Sequence, residues 1–86
     1  MKIRRVDINN WRKEFSVLTY SGIRYTFPYT KSTPRPDTSN RIESVFVDKE
    51  LANEAITYVL QSGDEGSIHI ERILEYTKTP PISQIF

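Results

Sequence analysis

Apolar and polar residues alternate along most of this chain, and helical spacing enters only towards its end. Val6 and Ile8 alternate with Asp7 and Asn9, which predicts a first strand over about residues 2–8. Ile3 is out of phase with that pair, so a bulge is expected at Arg4 and Arg5. Asn9-Asn10 is a turn signal. A hairpin follows: residues 14–20 are β-branched and aromatic, Ser21-Gly22 reads as a two-residue turn, and residues 23–29 resume the pattern. That loop length pairs Tyr20 with Ile23, Leu18 with Tyr25 and Ser16 with Phe27. It puts Leu18, Tyr20, Ile23, Tyr25 and Phe27 on the expected core face. Phe15, Val17, Thr19, Arg24 and Thr26 fall on the other face, a mixed one suited to partial cover or to binding.

Residues 30–41 have no apolar member, and Pro34 and Pro36 block regular helix and ladder pairing around them. Connections of this length are functional loops or disorder more often than plain linkers. Residues 42–47 read as a strand, with Asp48 placed to cap a helical turn over residues 49–53. Two readings compete for the next stretch. Residues 55–61 form a strand with Ile56, Tyr58 and Leu60 on one face, or residues 48–60 form one helix with Leu51, Ala55, Tyr58 and Val59 in register. The β-branched and aromatic run Ile56-Thr57-Tyr58-Val59 favours the strand. Residues 62–66 are a turn. Ile68 and Ile70 then alternate as in a strand, whereas Ile70, Ile73, Leu74 and Thr77 follow helical spacing, so a short strand passes into a helix over about residues 70–77. The helix is expected to end before Pro80-Pro81.

These elements amount to an α+β fold: a mainly antiparallel, twisted sheet of four or five strands with one or two short helices. Residues 1–79 form a single domain with a flexible loop at 30–41, and residues 80–86 form a tail. At 86 residues the core is thin. Ten aromatic residues partly compensate for the low apolar content. Such a domain often completes its core with a partner, so a homodimer or a docked neighbouring domain is expected.

Charge changes the picture most. Residues 1–41 hold nine Lys/Arg against three acids, and residues 42–86 hold three against eight. The near-neutral total therefore conceals a basic first part and an acidic second part. Such asymmetry points to an anionic partner or to charge-steered association, unless the two parts fold together and interleave their charges. The absence of cysteine excludes disulfides and thiol chemistry. The opening Met-Lys-Ile-Arg-Arg-Val-Asp lacks the apolar stretch of a signal peptide, and no run is long enough to span a membrane, which leaves the cytoplasm as the default location.

Candidate chemistry is sparse. Asp64, Glu65, His69 and Glu71 could gather around a divalent cation, but one histidine with turn acids is a weak ligand set, and no metal is assigned. Nothing suggests a nucleophile or a substrate pocket, so no catalytic residue is assigned and no enzyme activity or cofactor is expected. Gly63 and Gly66 are too few, and too close to acids, for a phosphate loop. Positive φ in a tight turn explains them better. In the basic part, Arg4, Arg5, Trp11, Arg12, Lys13, Arg24, Lys31 and Arg35 mix cations with a stacking ring, a combination that can hold single-stranded nucleic acid. Trp11 and the hairpin aromatics, however, are expected in the core. The mixed hairpin face, an open sheet edge and the proline-containing loop suit protein association.

Residues 45–76 contain Phe46-Val47-Asp48-Lys49-Glu50-Leu51, then Ser62-Gly63-Asp64-Glu65-Gly66-Ser67-Ile68-His69, then Leu74-Glu75-Tyr76. This stretch resembles a family of uncharacterised bacterial proteins that share a small β-rich N-terminal domain of unknown function. The resemblance implies the recurrent Ser-Gly-x-Glu-Gly-Ser-x-His turn and the closing Leu-Glu-Tyr. It also implies longer members with a helix-turn-helix-like tail, before which this chain stops. The resulting expectation is a non-catalytic binding or regulatory module that mediates protein association, with nucleic-acid binding by the basic part as the alternative. Arg4, Arg5, Arg12, Arg24 and Arg35 are the expected partner-binding residues.

Overall fold

Short alternating runs separated by turn residues give six strands, and sequence neighbours pair. The computed structural model describes residues 1–78. The expected tail lies outside the described residues. Strands β1 (Ile3–Asn9), β2 (Glu14–Thr19) and β3 (Arg24–Pro28) form one antiparallel sheet in the order β1-β2-β3. Strands β4 (Ile42–Val47), β5 (Ala55–Leu60) and β6 (Glu65–His69) form a second in the order β4-β5-β6, and helix α1 (Ile70–Lys78) follows β6 directly. The fold is α+β and mostly β. The expected single sheet is instead two sheets of three strands, because each meander pairs within itself and no ladder crosses residues 30–41. Strand β1 runs alongside β4 without joining its ladder.

The bulge in β1 is present as a register shift between Ile3 and Arg5. The β2–β3 hairpin differs from expectation by one residue. Its loop takes Tyr20, Ser21, Gly22 and Ile23, closed by Thr19 N–H to Ile23 O (3.0 Å) and Gly22 N–H to Thr19 O (3.0 Å), with Gly22 at φ +87°. Leu18 therefore faces Arg24, Val17 faces Tyr25 and Phe15 faces Phe27. A one-residue slip exchanges the faces of one strand. Phe15, Val17 and Thr19 are buried, whereas Tyr20 and Ile23 are 65% and 48% exposed. The glycine in the left-handed region permits this longer closure, and the buried Thr19 hydroxyl is satisfied by Ser21 Oγ (2.7 Å) and Ile23 O (3.2 Å).

Both sheets follow one plan. The second also opens with a bulge, between Ile42 and Ser44. Asn9 ends β1 and caps the next turn with its side chain, as Asp48 does after β4. The second hairpins close alike, with Leu60 N–H to Asp64 O (2.8 Å), Gly63 N–H to Leu60 O (2.9 Å) and Gly63 at φ +93°. Tyr20 N–H bonds Lys2 O in the first unit and Gln61 N–H bonds Arg41 O in the second. Tyr29 N–H to Lys13 O (2.9 Å) matches Ile70 N–H to Glu54 O (2.7 Å). After the third strand the first unit buries Tyr29 and Ser32, and the second buries Ile70 and Ile73. The chain is thus an internal structural duplication of residues 3–32 and 42–73. It diverges at the end, where the first unit makes a single 3-10 turn (Tyr29–Lys31) and the second continues as α1.

The core lies between the sheets and under α1. Phe15 meets Tyr58 across the sheets (5.0 Å between ring centroids) and Tyr29 edge-on (4.9 Å). Ile3, Ile56, Leu60, Ile68, Ile70 and Ile73 fill the remainder. Strand β5 is the central strand of its sheet, buried on both faces except for half-buried Val59, which explains why its apolar run also fits a helix. Its one buried polar side chain, Thr57, donates to Asp48 Oδ2 (2.6 Å) and contacts Ser67 Oγ (2.9 Å). Helix α1 packs on β3, with Tyr76 edge-on to Phe27 at 5.6 Å and Arg72 over the same ring at 5.8 Å. No helix among the described residues is long and apolar enough to cross a membrane.

Candidate functional site

The turn between β1 and β2 carries the most unusual side chain of the molecule. Asn9 Oδ1 accepts the N–H groups of Trp11 (3.1 Å) and Arg12 (3.0 Å), and Lys13 closes the turn at φ +57°. A side chain accepting from the second and third following residues fixes a turn without any core contact. Trp11 consequently projects outward and is 93% exposed, contrary to its expected place in the core. The reason is local: Asn9, Asn10, Arg12 and Lys13 leave it no apolar neighbour in sequence, and the Asx-type turn directs it away from both sheets. Among the described residues Trp11 is the most exposed of the large apolar side chains.

Beside this turn lies a cavity of about 200 Å³ lined by Asn10, Lys13, Tyr29, Arg35, Asp37 and Arg41, with Thr30, Pro36, Thr38 and Ile42 completing its wall. Three segments meet there: the β1–β2 turn, the loop 30–41, and the start of β4. Tyr29 Oη donates to Asn10 Oδ1 at 2.8 Å. Burial, followed by repulsion from the Glu14 carboxylate, pushes the Tyr29 phenol above its ordinary value. Asp37 Oδ1 accepts from Ser39 Oγ (2.8 Å), Ser39 N–H (2.9 Å) and Asn40 N–H (2.8 Å). These Ser39 bonds lead, with Asn40 and the charge of Arg35 adding, in holding its carboxyl below the usual range.

The loop that carries Arg35 is anchored on both sides. Tyr58 Oη donates to Pro34 O (2.7 Å), Ser32 Oγ to Tyr29 O (2.6 Å) and Arg72 Nη2 to Lys31 O (2.7 Å). Asn40 bonds Ser62 through Nδ2 (2.9 Å) and Oδ1 (3.0 Å). The chain matches no family model, curated protein or solved structure. What the site does is therefore argued from its own groups.

The five expected arginines do not gather. Arg4 is exposed at the bulge of β1. Arg5 pairs with Asp7 (3.2 Å), and Arg12 pairs with Glu14 (3.6 Å) on the Trp11 turn. Arg24, on β3, donates to Ser16 Oγ at 2.6 Å. Arg35 alone lines the cavity. Of its partners there, Lys13 was named only within the broader basic group and Arg41 not at all, since they lie 28 positions apart and only the fold brings them to one wall. The outward Trp11 did have a signal, a lone aromatic inside a run of asparagines and cations.

The acidic group takes another form. His69 Nδ1 accepts Glu71 N–H (3.2 Å) and stands 3.9 Å from its carboxylate, while Asp64 is bound to Ser62 Oγ (3.0 Å) at the far end of β6. No cluster of three metal-ligating side chains forms among the described residues. Gly63 has the positive φ expected of it, but Gly66 does not. Gly66 is needed for space: a Cβ there would lie 2.6 Å from Tyr58 Oη and 2.7 Å from Thr33 O.

Proposed function

We propose that the chain is a non-catalytic binding module that associates with an acidic protein surface through the Trp11 turn, a second copy of itself being the first candidate. The observation that carries this reading is the 93% exposure of Trp11 on a turn fixed by Asn9. Tryptophan and arginine dominate binding hot spots, and Arg12 is its neighbour in the turn. The acidic part, with eight Asp/Glu against three Lys/Arg, supplies the complementary surface in another copy. Open strand edges and exposed Tyr20 and Ile23 offer further contact area at the opposite hairpin. A regulatory role, and membership of the bacterial family named above, belong to this proposal as well.

Trp11 is the only tryptophan, so it reports on its own contact. Sedimentation velocity and acrylamide quenching over a concentration series should show association together with protection of Trp11, and Trp11→Ala should remain monomeric. Oligomers that form with Trp11 still fully quenchable would sink the reading. A second reading, single-stranded nucleic acid stacked on Trp11, draws support from Arg12 and Lys13 in the same turn and from Arg35 and Arg41, which line the adjoining cavity with Lys13. Anisotropy of labelled DNA and RNA at low and physiological salt separates the two: salt-sensitive binding lost in Trp11→Ala supports the second.

A further inference from the structure

We infer that the cavity beside the Trp11 turn is a binding site for a small phosphomonoester, independent of any association through Trp11. Lys13, Arg35 and Arg41 line it, and none of the three makes an ion pair or a side-chain hydrogen bond among the described residues. Elsewhere Arg5, Arg12, Arg24 and Arg72 have partners, whereas Arg4 on β1 makes no ion pair or side-chain hydrogen bond among the described residues either, so what distinguishes the three is that they line one cavity. Three cations drawn from separate segments outnumber the one carboxylate beside them, Asp37, which feels the charge of Arg35, and an added anion between them lowers their mutual repulsion.

The lining charge selects the anion. Three cations and the Asp37 carboxylate leave a surplus of two positive charges, which a phosphomonoester dianion neutralises and a lone carboxylate does not. Asp37 is already turned to its own loop, since one oxygen accepts three hydrogen bonds from Ser39 and Asn40. Arginine presents planar paired donors that match phosphate oxygens, and Thr30 and Thr38 add hydroxyl groups to the wall. The volume of about 200 Å³ is below the roughly 300–1,000 Å³ of drug-sized pockets, which suits a head group better than a whole cofactor.

The duplication supplies an internal control. In the second unit Glu54 stands where the first has Lys13. There the same end of the sheet is closed by Ile3 N–H to Asn53 O (2.7 Å) and by the terminal amine against Glu54 (3.9 Å). Ile42 makes no such backbone bond to Arg12. The end of the second unit is covered by contacts from Met1 and Ile3, whereas the corresponding end of the first is open and cationic.

The test is a two-dimensional NMR titration of isotope-labelled protein with inorganic phosphate, glycerol 3-phosphate, adenosine 5′-monophosphate and acetate at constant ionic strength. Saturable shifts at Lys13, Arg35, Thr38 and Arg41 with the phosphates, weakened about tenfold or more in Arg35→Ala and in Arg41→Ala, are the expected result. Lys49→Ala, at the corresponding turn of the second unit, should bind as the parent does. Tighter binding of the nucleotide would place its base on Trp11, and equal binding of all three phosphates would confine recognition to the phosphoryl group. Acetate binding as tightly as phosphate overturns the inference, as does the absence of saturable shifts. Because all three cations are exposed, the spectra of the variants also show whether the fold is kept.

Discussion

Gly66→Ala tests how the second sheet holds the loop that carries Arg35. Gly66 lies opposite Tyr58 in the β5–β6 ladder. A Cβ at this position would come to 2.6 Å from Tyr58 Oη, 2.7 Å from Tyr58 Cζ and 2.7 Å from Thr33 O. Tyr58 is fully buried and cannot swing aside, and its hydroxyl is committed to Pro34 O at 2.7 Å. Overpacking costs about 1–3 kcal/mol, and displacing a buried hydrogen bond costs about 1–3 kcal/mol more. The expected loss is thus about 2–6 kcal/mol, a large share of the roughly 4–13 kcal/mol typical of 86 residues. Gly63→Ala is the comparison. It has open space but φ +93°, so backbone strain alone should cost about 1–2 kcal/mol. Urea denaturation followed by far-UV circular dichroism measures both, whereas the emission of the already exposed Trp11 would change little on unfolding. In a Tyr58→Phe background the cost of Gly66→Ala should fall by about 0.5–1 kcal/mol, because the nearest clashing atom is gone. If Gly66→Ala is no more harmful than Gly63→Ala, the close approach is not what fixes the residue.

Two further outcomes are expected. Asp48→Ala removes an acceptor from both Glu50 N–H (2.9 Å) and the buried Thr57 hydroxyl (2.6 Å), and should cost about 1–3 kcal/mol in urea denaturation, with Asp48→Asn recovering part of it. Burial raises the phenols of Tyr29 and Tyr58, with Glu14 adding at Tyr29 and with Ser32 and Arg72 partly opposing at Tyr58. The native state then keeps protons that the unfolded chain releases. The contribution of these two tyrosines should be complete below about pH 10 and be lost as the pH rises through their native values, read as unfolding that accompanies late phenolate absorbance.

The elements were more legible than their partners. Alternation located β1, β4 and β6, the out-of-phase Ile3 located the bulge, and Asp48 located its capped turn, because each signal sits within a few residues. The competing helix over residues 48–60 gave way to β5, where β-branched and aromatic side chains are buried on both faces. The hairpin face was misassigned because loop length depends on the φ of Gly22, and a single residue decides which of Phe15 or Leu18 turns inward. The two-sheet arrangement was hidden because a strand pattern does not name its neighbour. Arg35 was legible as a loop cation. Lys13 was legible as one of the basic group, but Arg41 was not, and only the return of residues 30–41 onto the β1–β2 turn places the three together.

The duplication indicates where chemistry is to be sought. Backbone pattern, hairpin glycine and strand register are shared by the two units, and shared features serve the fold. The differences concentrate at one end of the first unit. Trp11 occupies a four-residue turn, residues 10–13, where the second unit has six residues, 49–54. Lys13 replaces Glu54, and a polar loop replaces α1. The second unit has this position covered by the Met1 amine against Glu54 and by the backbone bond from Ile3 to Asn53. The exposed Trp11 and the surplus positive charge of Lys13, Arg35 and Arg41 over Asp37 both lie at this end of the first unit. Trp11 and the cavity cations therefore both fall at the end where the repeat departs from its plan, and it is there that the association proposed for Trp11 and the phosphate site proposed for the cavity are each to be tested.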